Sequence, residues 1–185
     1  MIHETAIIYP GVEIEDDVYV GAYSIIGSPP EHREYYDGKE TKGVVLKRGS
    51  RIFEFVTIHG GTKNPTVIGE GSAVFNKTHI GHDCIIGRGA TIGGSCSLAG
   101  HTQVMDGANV SGKTCTFQRV VIGAYSFIGG MSFVTRDVPP GEKWLGLPAR
   151  SIGHNEIGLE RSGLTYDFCV ETYTKEFERL VNDKG

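Results

Sequence analysis

From Ile68 onward the chain repeats every six residues. Stepping by six gives Ile68, Val74, Ile80, Ile86, Ile92, Leu98, Val104, Val110, Thr116, Ile122, Ile128 and Val134, all aliphatic except Thr116. Two residues before each stands a small or β-branched residue, among them Thr66, Ser72, Thr78, Cys84, Ala90, Cys96, Thr102 and Ser126. The same phase runs upstream through Ile8, Ile14, Val20 and Ile26, and again through Leu46, Ile52 and Ile58. Two polar insertions interrupt it, a long one at residues 28–43 and the TKNP turn at 62–65.

A period of six is neither the 3.6 of a helix nor the strict alternation of a half-buried strand. It requires a solenoid. Three six-residue units, each a short strand and a turn, make one triangular coil, with the aliphatic residue filling the interior and the small residue beside it. Coils then stack about 4.8 Å apart through parallel backbone pairing. The pattern predicts an all-β parallel β-helix of about six coils, since so many consecutive units in phase do not arise by chance in a sandwich. The repeat fades after Val134, where Pro139 and Pro140 cannot donate ladder hydrogen bonds. We therefore expect a β-helix over 1–138 carrying an external loop at 28–43, and a C-terminal extension over 139–185 with one or two helices. Tyr173, Phe177, Leu180 and Val181 form the stripe of an amphipathic helix within 164–183, to be packed on the solenoid or on a neighbouring subunit.

Composition sharpens this picture at one point. The 27 glycines in 185 residues are about twice the ordinary share of roughly 7%. They show no collagen period, and most fall one to three residues after an interior aliphatic position, which assigns them to the turns between strands. A net charge of -4 gives no general field for nucleic acid or an anionic membrane surface. No apolar stretch approaches the ~18 residues of a membrane span, and MIHETAIIYP has no secretory pattern. These features predict a cytoplasmic protein with no nucleic-acid partner and no membrane span. The four cysteines form no C-x-x-C pair and are expected as thiols. Cys84 and Cys96 occupy the small interior slot, so packing accounts for them.

Candidate chemistry follows from coil arithmetic. Residues one coil apart stack vertically, which brings His82, Asp83, His101, Gln118 and Arg119 to one corner, and the IHGG turn with His59 joins it once TKNP is looped out. Three histidines sharing a column, one with an adjacent carboxylate, point to proton transfer near neutral pH. His82 is the candidate general base, with Asp83 fixing its tautomer and stabilising the imidazolium.

The hexad pattern resembles the hexapeptide-repeat proteins, whose fold is a left-handed parallel β-helix. The segments VTIHGGT (56–62), THIGHDCIIG (78–87), LAGH (98–101), TFQRVVIGA (116–124) and DVPP (137–140), followed by NEIGLERSG (155–163), are more specifically similar to the UDP-N-acetylglucosamine acyltransferases of lipid A biosynthesis. That resemblance implies a homotrimer with active sites between subunits. It also implies transfer of a 3-hydroxyacyl group from an acyl carrier protein thioester to a nucleotide sugar, with no tightly bound cofactor. By the same match His82 is the base, Asp83 its support and Gly100 the oxyanion donor, while His59, His79, His101, Gln118, Asn155 and Arg161 line the substrate site. The chain departs from the family pattern at Gly60, Phe117, Ile157 and Ser162, where the family carries Arg, His, Glu and a basic residue, which predicts weaker nucleotide binding. GLPAR (146–150) resembles the ending of CoA-dependent acetyltransferases, so CoA is the alternative donor. Related trimeric zinc hydratases bind metal through three histidines, but the three-residue spacing of His79 and His82 differs from the five expected there, and no metal is expected. The 28–43 loop, with Arg33, Tyr35, Tyr36 and Lys39, falls where the family carries a substrate-contacting insertion.

Overall fold

A computed structural model describes residues 1–35 and 39–184, so Tyr36 lies outside the described residues. The chain winds into a left-handed parallel β-helix with three faces. Among the described residues these faces are sheets of seven, six and eight strands, parallel except for the last pair. The register follows the predicted coil. His79 pairs with Ser97 above it, and Ile86 with Val104, each one 18-residue coil apart. Below, His79 pairs with Thr57 and Val12 with Val44, larger separations that place the 62–65 and 28–43 insertions outside the ladder.

The interior is the aliphatic column. Ile26, Ile58, Ile80 and Leu98 stack on the first face, and Leu46, Ile68 and Ile122 on the second. Ile52, Ile92 and Ile128 line the third, all fully buried. Burying each such side chain stabilises the fold by about 1.5–3 kcal/mol. Thr116, the one polar member, is accommodated because its hydroxyl accepts from the Ala99 N–H at 3.1 Å and meets the Thr102 hydroxyl at 2.9 Å.

The small slot also closes the corners. Ser72, Thr102, Ser126 and Ser132 each donate to the carbonyl three residues earlier at 2.6–2.7 Å. Cys84 and Cys96 tie to the next coil instead, with Sγ donating to the Ala99 and Ser111 carbonyls at 3.3 and 3.2 Å. Burial pushes the Cys84 thiol up to about 12, which leaves no thiolate for nucleophilic work.

After Pro139 and Pro140 a further strand, Glu142–Gly146, joins the third sheet by pairing with Phe127 and Ile128, and turns back as Ala149–His154. Two helices complete the chain, α1 (Glu156–Arg161) and α2 (Tyr166–Asn182). The Thr165 side chain caps α2 by accepting from the Phe168 N–H. The stripe Tyr173, Phe177, Leu180 and Val181 packs on Met105, Val121, Ala124 and Tyr125, so α2 covers the second face of its own solenoid.

Candidate active site

The corner between the first and second faces collects the polar column. His82 and Asp83 follow the interior Ile80, and Gly100 and His101 follow Leu98 one coil later. Asp83 and His101 both have φ near +60°, at 58° and 62°.

Asp83 is almost enclosed, with its side chain 2% exposed. Its Oδ2 accepts from Thr62 N–H and Thr62 Oγ1 at 2.8 Å, and Oδ1 accepts from the Lys63 and Asn64 N–H groups at 2.8 Å. The short insertion is therefore a cradle of donors for one carboxylate. Burial pushes the Asp83 carboxyl upward, but the hydrogen bonds from His82 and the Asn64, Thr62 and Lys63 N–H groups reverse that and hold it well below the usual carboxylate range. The anion in turn receives His82 Nδ1 at 2.7 Å. With the proton held on Nδ1, His82 Nε2 carries the free lone pair.

That nitrogen lies against Gly100, where a Cβ would stand 2.7 Å from His82 Nε2. The Gly100 N–H has no acceptor among the described residues. His82, Gly100 and Gly81 line a cavity of about 200 Å³ together with His59, His79, Ser97, Ala99, Gln118 and Glu31. His101 stands 5.0 Å from His82 between ring centroids, nearly perpendicular to it. Burial lowers the His101 and His79 pKa values. For His101 the neighbouring Asp83 opposes this while Arg119 and His82 add to it, and for His79 the His59 ring adds and Glu31 opposes. Both are neutral donors or acceptors at pH 7.

His59 does not stack on His82. It sits one step earlier in its turn, with Nδ1 donating to the Pro29 carbonyl at 2.6 Å, and its ring faces His79 at 5.0 Å. Arg119 points the other way along the corner, donating Nη1 to the Lys184 carbonyl at 2.9 Å. Asn155 and Arg161 are brought together, but at a different corner. Within one chain they line a separate cavity of about 330 Å³ with Asn109, Phe127, Lys143, Ile157 and Ser162, on the third face. Asn155 also caps α1, its side chain accepting from the Gly158 N–H and donating to the Tyr125 carbonyl at 2.8 Å.

Three residues of this site, Glu31, His32 and Thr62, are not singled out by the sequence reading, which names Tyr35 only as part of the long insertion. The long insertion folds back over the corner, placing His32 at 6.0 Å from His82 and Glu31 Oε2 at 4.0 Å from His79 Nε2. Tyr35 is buried and donates its hydroxyl to the Thr62 carbonyl at 3.2 Å, tying the long insertion to the short one. Thr62 is the third. The only sequence signal for the three is that both insertions open beside the same corner, because an aperiodic loop carries no vertical register.

Residues 65–100 match the family model described as bacterial transferase hexapeptide (six repeats). Over 155 residues the chain is 36% identical to the acyl-[acyl-carrier-protein]–UDP-N-acetylglucosamine O-acyltransferase of Burkholderia lata, covering 82% of this chain and 58% of that protein. The chain thus spans somewhat over half the length of the curated relatives it matches. Among solved structures, LpxA from Acinetobacter baumannii superposes with a TM-score of 0.74 at 30% identity, covering 90% of this chain and 79% of that one. LpxA of Bacteroides fragilis, a UDP-N-acetylglucosamine acyltransferase, superposes with a TM-score of 0.78 at 25% identity over 92% and 81%.

Proposed function

We propose, from the premise that this chain belongs to the UDP-N-acetylglucosamine acyltransferase family of hexapeptide-repeat proteins, that it transfers an acyl group from a carrier thioester to a sugar hydroxyl of a nucleotide sugar. The observation that carries this reading is the His82 pair: an imidazole with Nδ1 locked on a caged carboxylate and Nε2 free beside an unpaired backbone N–H.

In this mechanism His82 Nε2 takes the proton of the sugar hydroxyl as its oxygen attacks the thioester carbonyl carbon. Asp83, kept anionic by its five donors, stabilises the imidazolium without taking the proton itself. Negative charge moves to the carbonyl oxygen, where the Gly100 N–H is the donor in place. Collapse breaks the C–S bond, and the departing thiolate receives the proton from His82. An O-acylated nucleotide sugar and a free carrier thiol result.

Binding is assigned in two parts. His59, His79 and Gln118 line the cavity around the reacting atoms, and His101 stands against the His82 ring. Asn155 and Arg161, with Lys143 beside them, form the second cavity, where the two cations suit a diphosphate. A homotrimer would set the second cavity of one subunit against the His82 corner of its neighbour. Ile157 and Ser162 add no charge to this pocket, and Gly60 and Phe117 lie outside it within the chain, so nucleotide affinity is expected to be low for the family.

The test is product analysis. Purified protein is incubated with UDP-N-acetylglucosamine and either 3-hydroxyacyl carrier protein or acetyl-CoA, and the sugar is weighed by mass spectrometry. Acylation from the carrier protein supports the reading, acetylation alone moves it to CoA, and neither refutes it. His82→Ala should lower kcat by about 10²–10⁴-fold; full activity in that variant removes His82 as the base.

A further inference from the structure

The cavity in front of His82 contains a second set of converging donors that the transfer reaction does not use as a unit. Glu31, His59 and His79 offer ligand atoms that all lie within 4.8 Å of one another. His59 is buried, and its Nδ1–H is committed to the Pro29 carbonyl at 2.6 Å. Its Nε2 lone pair is therefore free, and a carbonyl holding the far nitrogen is the usual outer support of a metal-bound imidazole. His79 projects from the neighbouring coil toward the same point, ring centroid 5.0 Å from that of His59. Glu31 Oε2 is 4.0 Å from His79 Nε2, too far for a hydrogen bond. Two ligands of one tetrahedral ion, each about 2.0–2.2 Å from it, lie roughly 3.5 Å apart. A small rotation of Glu31, on its exposed loop, closes the difference.

A second cluster, His82, Asp83 and His101, also has its donors within 4.8 Å. It is unsuited to a metal. Both Asp83 oxygens are already occupied by N–H and O–H donors, and turning one to an ion would break the cradle.

We propose that Glu31, His59 and His79 form a zinc(II) site that closes the cavity in front of His82. Two imidazoles, one carboxylate and one open position are a zinc-type set, and hard magnesium or calcium would want oxygen ligands instead. An ion there shares the cavity with His82 and Gly100, so bound zinc excludes substrate and inhibits. Binding is independent of the acyltransferase reading; only the inhibition rests on it.

The experiment is isothermal titration of chelator-stripped protein with zinc chloride, with magnesium chloride as control and circular dichroism to show each variant folded. One zinc per chain is expected, with no magnesium heat. Glu31→Gln and His79→Asn should each weaken zinc by at least about tenfold, while His101→Asn leaves it unchanged. Absence of saturable zinc binding overturns the proposal, as does equal affinity in Glu31→Gln and His79→Asn, or loss in His101→Asn. Where the transferase assay succeeds, zinc should inhibit it and EDTA restore it, with Glu31→Gln resistant. Activity unaffected by saturating zinc overturns the inhibitory half. If no donor is used at all, the acyltransferase reading fails and the titration still decides the site.

Discussion

Gly100→Ala isolates the geometry of the base from the rest of the site. A Cβ at this position would meet three atoms of the His82 ring, at 2.7, 2.9 and 3.1 Å, and these ring atoms are the nearest it would meet. Gly100 is not among the positive-φ glycines, so alanine fits the backbone without strain. The backbone N–H that would serve the oxyanion also survives the substitution. The whole effect therefore falls on the imidazole, which must retreat by roughly 0.7 Å to reach ordinary van der Waals contact. Misplacing a reacting group by about 1 Å costs on the order of 10²-fold. We expect kcat of Gly100→Ala to fall by about 100-fold, with the thermal midpoint changed by only a few degrees. The assay is initial-rate acyl transfer at saturating substrate, beside a thermal melt. The Gly100→Ala/His82→Ala double variant should be no slower than His82→Ala alone, since the alanine acts only through the ring. Activity within threefold of wild type would show that Nε2 has no part in the rate-determining step as drawn. Additive losses in the double variant would assign the effect to the oxyanion side instead.

Asp83→Asn should destabilise the fold most at neutral pH. The depressed carboxyl contributes stability above its unfolded value of about 3.9, and that contribution is lost as pH falls through the lower folded-state value. Urea unfolding at pH 7, 4 and 3 should show the gap between wild type and variant narrowing, and a gap independent of pH would refute the caged-anion account. Thr62→Val removes one hydroxyl donor from Asp83 and keeps the backbone one. It should cost about 1–3 kcal/mol in chemical denaturation and slow turnover less than His82→Ala does; no change in either would show the cradle to be redundant.

The interior of this molecule is legible because its period leaves each aliphatic residue one place to go. Ile80, Leu98 and Ile122 are fully buried where stepping by six puts them. The same arithmetic places Gly100 beside His82, because a coil length converts sequence separation into height. It fails for His59, which follows Ile58 by one residue where His82 follows Ile80 by two, so that its ring meets His79 instead of His82. It is silent on Glu31, His32 and Tyr35. Their loop has no repeat, and its path is set by tertiary contacts, among them the bond of His59 to the Pro29 carbonyl, that of Tyr35 to Thr62, and burial of the Tyr35 ring. The Asn155–Arg161 pair was legible as a pair, but it follows the end of the repeat, so no coil arithmetic placed it on a different face.

Glycine content, the compositional oddity of the chain, separates into two physical causes. Gly81 has ordinary φ, and a Cβ there would strike the backbone of the next coil at 2.7 Å, so close approach requires it. The left-handed corner position two residues later tolerates side chains throughout: Ser95, Lys113, Tyr125 and Met131 have φ of 59°, 60°, 54° and 58°, the same as Asp83 and His101. Each such residue costs about 1–2 kcal/mol, offset at most of these corners by a stacking bond of its N–H to the coil below, as His101 bonds the His82 carbonyl at 2.9 Å. Strain at Asp83 is therefore a property of the solenoid and carries no functional signal. What distinguishes this corner from its equivalents is the convergence of both insertions on it. One supplies the cradle that fixes Asp83 and through it His82, and the other brings Glu31 and His32 across the opening. A repetitive scaffold offers the same backbone at every turn, and here chemistry enters where the repeat is broken.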